Sequence, residues 1–277
     1  VFIVAGLSGN ILKSTDKGSS FDNATSPTST NLYEVEFGNS TFVVSGDNGT
    51  IVKSTDNGTS FESITTSTTN TLFGVGFGNN IFAAVGISGN IVKSTDNGVT
   101  WDNATSPTSN YLRGIVFGKN TFIAVGDSGN IVRSEDGSSF DNVTSPVTTD
   151  LYGVGYGNST FIAVGDNGTI LRSTAENGSS WDNASSPTAN NLYGVVFGNN
   201  AFVAVGDNGT IVRSTDNGLS WDNVTSPTSN FLIGIGFGYN TFVVSGTNGN
   251  ILKSTDNGSS WDNATSPTLN QLRGVGF

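Results

Sequence analysis

STDNGLSWDN, residues 214–223, is the stretch that decides the fold. A version of it returns six more times: STDKGSSF from Ser14, STDNGTSF from Ser54, STDNGVTW from Ser94, SEDGSSF from Ser134, STAENGSSW from Ser173 and STDNGSSW from Ser254. Upstream of each copy lies a short apolar run opened by a phenylalanine, at Phe2, Phe42, Phe82, Phe122, Phe161, Phe202 and Phe242, in steps of 40, 40, 40, 39, 41 and 40. Seven copies therefore fill the 277 residues, and a period of this length argues for one closed or stacked body rather than two ordinary domains. The two uneven steps come from SEDGSSF, one residue short, and STAENGSSW, one residue long. Both changes fall in a turn, where length varies without moving a strand register.

One unit, residues 191–227, reads as a four-stranded meander: strands over 192–197, 201–205 and 210–214, and a fourth beginning near Ser220 and Trp221, each about five residues long. Asn-Gly and Asp-Asn-Gly turns join them, because Asn and Gly tolerate the positive φ of tight hairpins. Simple alternation puts Leu192 and Val196 on one face and Tyr193, Val195 and Phe197 on the other, so neither face is built for water. Radial repetition covers both, and the expected fold is all-β, a seven-bladed β-propeller of four-stranded antiparallel blades. The recurrent Gly74, Gly114, Gly153, Gly194, Gly234 and Gly274 belong to the innermost strand, where blades converge. Blade two departs there, with Glu34 and Glu36.

The chain opens on the second strand of a unit and ends on a first strand, so 271–277 is expected to pair beside 2–6 and close blade one. The single domain, 1–277, then divides into blade one (271–277 with 1–28) and blades two to seven at 31–68, 71–108, 111–147, 150–187, 191–228 and 231–268. Blade-to-blade links carry Ser-Pro-Thr, as at 26–28, 106–108 and 226–228, except blade two, whose link 64–68 lacks proline and should be looser.

Composition narrows function by exclusion. The formal charge is -11, with 11 basic and 22 acidic residues, so a nucleic acid backbone would be repelled. Cysteine and histidine are both absent, which removes disulfides, the commonest metal ligand and the usual general base near neutral pH. No apolar run approaches the roughly 20 residues of a membrane span. Neither a metal nor a cofactor is expected. The Asn, Thr, Ser and Gly richness, with no Cys and no starting Met, suggests a secreted or cell-surface chain, and the start in mid-strand reads as either a processed chain or a fragment of something longer, with any signal peptide already gone.

The repeated Ser-x-Asp-x-Gly-x-x-Trp/Phe resembles the Asp-box, or BNR repeat, of sialidases and other propellers. With its preceding strands, as in LYGVVFGNNAFVAVGDNGTIVRSTDNGLSW over 192–221, it is most similar to the Ycf48-like repeat family, whose plant and cyanobacterial members are photosystem II assembly factors. The resemblance covers essentially the whole chain and implies a propeller that serves as a binding platform. The sialidase chemistry, an arginine triad with a tyrosine, a glutamate and a further acid, has no counterpart. Three of the five arginines (Arg133, Arg172 and Arg213) share a repeat position with Lys13, Lys53, Lys93 and Lys253, and interchangeable Lys and Arg suit structure better than a bidentate clamp. Those seven cations are expected to pair across the strands with Asp22, Glu62, Asp102, Asp141, Asp182, Asp222 and Asp262. The basic patch associated with the Ycf48-like family is also thin, only Lys17, Arg113, Lys119 and Arg273 lying outside the repeated series.

Asp16, Asp56, Asp96, Asp136, Glu176, Asp216 and Asp256, with Trp101, Trp181, Trp221 and Trp261, read as structural parts of the box: the acid accepts turn amides and the indole covers the hairpin. Calcium is disfavoured by the single carboxylate per box. Recognition belongs where the copies differ. The residue after the first-strand leucine is Tyr33, Phe73, Arg113, Tyr152, Tyr193, Ile233 or Arg273, which either packs between blades or, as an arc of Arg273, Tyr33 and Phe73, stacks on a sugar or grips a carboxylate. A second variable site is Leu7, Asp47, Ile87, Asp127, Asp166, Asp207 and Thr247, where Leu7 and Ile87 read as exposed apolar tips. The leading reading is a non-catalytic module recognising a carbohydrate or a surface or assembly protein. The alternative is a Ycf48-like assembly factor for a membrane complex. A sialidase-like glycoside hydrolase using Asp16, Glu34 or Glu36 is disfavoured, since it needs two carboxyl groups about 5 to 9.5 Å apart across a cleft.

Overall fold

A computed structural model describes residues 1–277. Its strands form seven four-stranded antiparallel sheets, one per repeat, and six of them follow chain order from the inside outward. The seventh is the joint. The terminal strand Leu272–Gly276 lies beside Phe2–Gly6, with Val275 opposite Val4 and Gly276 opposite Ile3, so the two ends of the chain share one blade. The joint is packed like the others: Phe2, Val4, Leu12, Leu272 and Val275 form one core with Val243 and Ile251 of the preceding blade.

Each blade but the first begins with a seven-residue inner strand such as Leu192–Gly198, turned through Asn199 and Asn200 at φ 47° and 61° into the buried strand Ala201–Gly206. Two left-handed residues in a row make the hairpin whose twist matches its strands. Asp207–Gly209 then turns, with Asn208 at φ 54°, into Ile211–Ser214. The outermost strand is shorter than expected: Asp222–Val224 has three residues, and several of its counterparts two. The box before it spends its backbone amides on a side chain instead of a ladder.

The expected alternation along the inner strand is corrected. A bulge falls at its second residue, so Leu192 pairs with Gly206 while Gly194 pairs with Val205. The extra residue brings Leu192 and Val195 to the same interblade core and sends Val196 to the next one. It also frees the side chain of Tyr193 from both cores. Blade two widens the irregularity, with Leu32 opposite Gly46 and the next pair at Val35, which makes room for Glu34 where other blades have glycine.

The strand ends with a glycine because the next blade's aromatic ring lies on its backbone. A Cβ at Gly78 would sit 2.0 Å from the Phe117 ring, and one at Gly157 2.0 Å from Phe197. The proline-free link of blade two is not short of hydrogen bonds. Thr66 Oγ1 donates to Thr68 O, as Ser26 Oγ does to Thr28 O in blade one, and also contacts Gly49 O at 2.8 Å.

Candidate functional site

The boxes lie on the outer part of the blades and are occupied with structure. Asp216 Oδ1 accepts from the N–H groups of Leu219 and Ser220 at 3.1 and 2.9 Å and from Ser214 Oγ at 2.8 Å, while Ser220 Oγ donates to Oδ2 at 2.5 Å. Ser214 Oγ in turn accepts the Gly218 amide. Hydroxyl and amide donors of this kind hold Asp96 and Asp256 at about 2, Thr100 and Ser260 giving the largest contribution in each; at Asp16 and Asp216 they also reach about 2 against the upward push of burial. Asp56 and Asp136 are lowered in the same way. Glu176 takes part in none of these bonds: its loop is one residue longer, Ala175 stands beside it, and Ser173 Oγ is left without a partner. The indole N–H of Trp101, Trp181 and Trp261 donates to the box glycine carbonyl, whereas that of Trp221 has no acceptor.

Each box also grips the blade before it. Gly218, at φ 79°, lies where a Cβ would meet Ile162 Cδ1 at 2.4 Å, and Asn217 Nδ2 donates to Thr160 Oγ1 at 2.6 Å. The repeated cations complete this joint, which corrects the expected pairing with the acids opposite them. Registers such as Lys13 opposite Asp22 do occur, but only Lys53 and Glu62 make an ion pair, at 3.8 Å. Lys13 instead reaches Thr59 Oγ1, Arg172 the carbonyl of Asn217, Arg213 that of Asn257, and Lys253 Ser19 Oγ, each in the next blade's box. The reach of a long side chain to a neighbouring turn wins over an exposed ion pair of small worth.

The bulge residues behave differently, because they all meet at one end of the central channel. Tyr33, Phe73, Arg113, Tyr152, Tyr193, Ile233 and Arg273 line a mouth cavity of ≈ 190 Å³, with Glu34 at its floor. All seven are half-buried. Around the ring, the Arg273 guanidinium sits 5.0 Å from the Tyr33 ring centre and Tyr33 meets Phe73 edge-on at 5.3 Å. Arg113 lies 5.4 Å from both Phe73 and Tyr152, and Tyr152 is 5.2 Å from Tyr193.

In four blades the second variable position supports the first. Tyr33, Tyr152 and Tyr193 donate their hydroxyls to Asp47, Asp166 and Asp207 at 2.7, 2.8 and 2.7 Å. Burial and then these carboxylates push Tyr33 and Tyr193 up to about 12 and Tyr152 also upward. Arg113 takes Asp127 through Nε and Nη2 at 2.5 and 3.2 Å. Burial opposes its charge, and the Asp127 bond together with the negative field of Asp127, Tyr152 and Asp150 outweighs that. Phe73 belongs to the blade whose turn carries Ile87, and Ile233 to the one with Thr247. Arg273 belongs to the blade with Leu7 and makes no side-chain hydrogen bond; its Nε is buried without an acceptor, and burial lowers its proton affinity. Leu7 and Ile87 are half-buried, not exposed tips. The pairing of these two positions across fourteen residues was the signal that sequence reading missed.

Below the mouth, a channel cavity of ≈ 290 Å³ is walled by the inner strands, and Glu34 and Glu36 line it. Each accepts the next residue's amide at 3.1 Å, Val35 for Glu34 and Phe37 for Glu36. Burial nevertheless pushes Glu34 up to about 7, and burial with repulsion from Glu34 takes Glu36 to about 8. Asp16, fixed in its own box, is not brought together with them. No group of three or more His, Cys, Asp or Glu side chains is placed to hold a metal ion, and no helix is long and apolar enough to cross a membrane.

Comparison with known proteins places this architecture. YCF48 bound to D1 peptide superposes with a TM-score of 0.69 at 19% identity, over 86% of this chain and 81% of that one. The fold is shared with YCF48. YCF48 from Cyanidioschyzon merolae gives 0.68 at 18% identity, over 87% and 88%. The computationally designed Ika8 protein gives 0.69 at 12% identity, over 98% of this chain and 89% of that one. A family model for the DUF6242 beta propeller domain matches residues 160–272. A search of the curated proteins gives no match. What these likenesses show is the β-propeller fold, and the seven four-stranded sheets of this chain set its blade count.

Proposed function

We propose that the protein is a non-catalytic binding module of the scaffold or assembly kind, which holds a peptide segment of a partner protein at the Tyr33–Arg273 mouth. The observation that carries this is the convergence of the seven variable bulge residues on one cavity, in a molecule whose other repeated polar groups are consumed by the boxes. Aromatic faces and guanidinium groups on a rigid ring are the side chains that dominate protein recognition. A YCF48 structure of the same fold is of a peptide complex, which supports this reading. Presentation at a surface or outside the cell belongs to the proposal and is tested by antibody labelling of intact cells.

A carbohydrate is the second reading, favoured by Tyr152 and Tyr193, whose rings are fixed by bonds to Asp166 and Asp207 and can serve as stacking platforms. One experiment separates the two. A random dodecapeptide library is panned on the immobilised protein beside a glycan array. Enriched peptides that compete with one another and are lost with Tyr33→Ala support the peptide reading. A defined sugar response with no peptide enrichment replaces it.

A further inference from the structure

Building on the mouth as the binding site, we infer that it selects a carboxylate and that Arg273 is the side chain that grips it. Two guanidinium groups stand on the ring, and they differ in what they have left to give. Arg113 is already spent on Asp127 in a two-point ion pair. Arg273 has the same place in its blade and no acceptor at all, its Nε buried without a partner. The neighbours cannot supply one. The Tyr33 hydroxyl donates to Asp47, the Ser245 hydroxyl is bound to the Arg273 backbone carbonyl, and Glu34 forms no ion pair with Arg273.

The cause is one side chain. Where four blades place Asp47, Asp127, Asp166 and Asp207 under the bulge residue, blade one has Leu7. The backbone there is unaltered: Leu7 N–H donates to Gln271 O at 2.9 Å, as Asp127 N–H does to Tyr111 O at 2.9 Å. A guanidinium retains its charge under burial, so Arg273 is a cation with unmade hydrogen bonds facing a cavity of ≈ 190 Å³. A planar carboxylate meets its paired N–H groups along two parallel bonds, and the Tyr33 and Phe73 rings offer apolar walls for whatever carries it. The net charge of -11 opposes an anion at long range. At physiological salt that field is screened within about 8 Å, and Asp47, Asp166 and Asp207 already accept the tyrosine hydroxyls. The carboxylate is either the end of a chain or an acidic side chain.

The test uses hippurate and its neutral amide, hippuramide, titrated into the protein while the arginine Nε–H resonances are followed by NMR. Hippurate is expected to bind at least about tenfold more tightly than the amide and to move the Arg273 signal. The ratio should collapse toward one in Arg273→Gln and in Leu7→Asp, which gives blade one the acid that four other blades already fold with. Val99→Asp, the same charge change on an exposed box turn outside the mouth, should keep it. Equal affinities for the two probes, no binding of hippurate, or an undiminished ratio in Leu7→Asp overturns the inference. Two peptides then name the source, one with a free C-terminus and no acidic side chain, the other amidated with a single internal Asp. Peptides that bind equally with and without a carboxylate leave the peptide reading standing and remove this one; hippurate binding without peptide binding does the reverse.

Discussion

Replacing Glu34 and Glu36 together by Gln should flatten the pH dependence of stability between pH 5 and 9. Glu34 at about 7 and Glu36 at about 8 both lie above the ordinary value of 4.5. The sign follows from proton counting. From pH 4.5 upward the unfolded chain releases both protons, while the folded ring still holds them, so stability falls as pH rises and the loss is complete only above pH 8. At about 1.4 kcal/mol for each pH unit, Glu34 accounts for about 3 kcal/mol and Glu36 for about 5 kcal/mol before screening, and water in the open channel reduces this, which leaves a few kcal/mol for the pair. The chain makes the window unusually clean. It has no His and no Cys, so between pH 5 and 9 these two are the side chains that titrate, and the Val1 amine, whose proton affinity burial lowers, is common to parent and variant. Urea unfolding at pH 5, 7 and 9, followed by the fluorescence of the four buried box tryptophans, reads the effect. Parent and double variant should nearly coincide at pH 5 and diverge at pH 9, with the variant the more stable. Parallel profiles for the two proteins would refute the buried-carboxyl account.

Acid should act on a different set of groups. The box aspartates at about 2 contribute stability that is present above about pH 4 and lost as pH falls through 2, so a circular-dichroism titration should show the ring opening there, earlier in Asp216→Ala than in the parent. The same substitution at pH 7 should cost about 1–2 kcal/mol, from charge-assisted bonds that are largely exposed. Gly78→Ala places a methyl 2.0 Å from the Phe117 ring and should lower stability by about 1–3 kcal/mol or more, seen as a reduced urea midpoint. Removing 271–277 strips blade one of its inner strand and the closing core of Leu272 and Val275, so the chain should lose its single cooperative transition.

How much of this was legible in the sequence depends on what each residue answers to. The seven boxes, the four-strand count and the closing strand answer to a periodic pattern and to turn chemistry, both local, and the structure has them. The bulge at Tyr193 answers to convergence of the blades near the axis, which no single unit encodes, so alternation placed Val195 and Val196 on the wrong faces. The cations were matched to the acids opposite them because strand register is visible in sequence, whereas the next blade's turn at Asn217 or Asn257 is not. Among the mouth residues, variability alone singled out Tyr33, Phe73, Arg113, Tyr152, Tyr193 and Arg273. Their partnership with Asp47, Asp127, Asp166 and Asp207 was present as a fourteen-residue correlation, and a search by repeat period passes over it.

The unsatisfied polar groups of the inner strands are not scattered around the ring. Arg273 without an acid, and the glutamates in place of small inner residues, lie on blades one and two, side by side at one joint of the ring: the Gly274 position abuts the Glu34 Cα. Elsewhere in the ring each polar bulge residue has an acid beneath it, and every other inner strand carries glycine or valine where Glu36 stands. Repetition supplies stability from many equal joints, and one of those joints can then carry groups that the fold itself leaves unsatisfied. An unpaired guanidinium and two carboxyls driven toward neutrality each lower the stability of the free protein. A ligand that offers the first an anion restores what the fold withholds, so Leu7→Asp, which restores it internally, should raise the melting temperature of the free protein and remove the stabilisation that a carboxylate ligand confers.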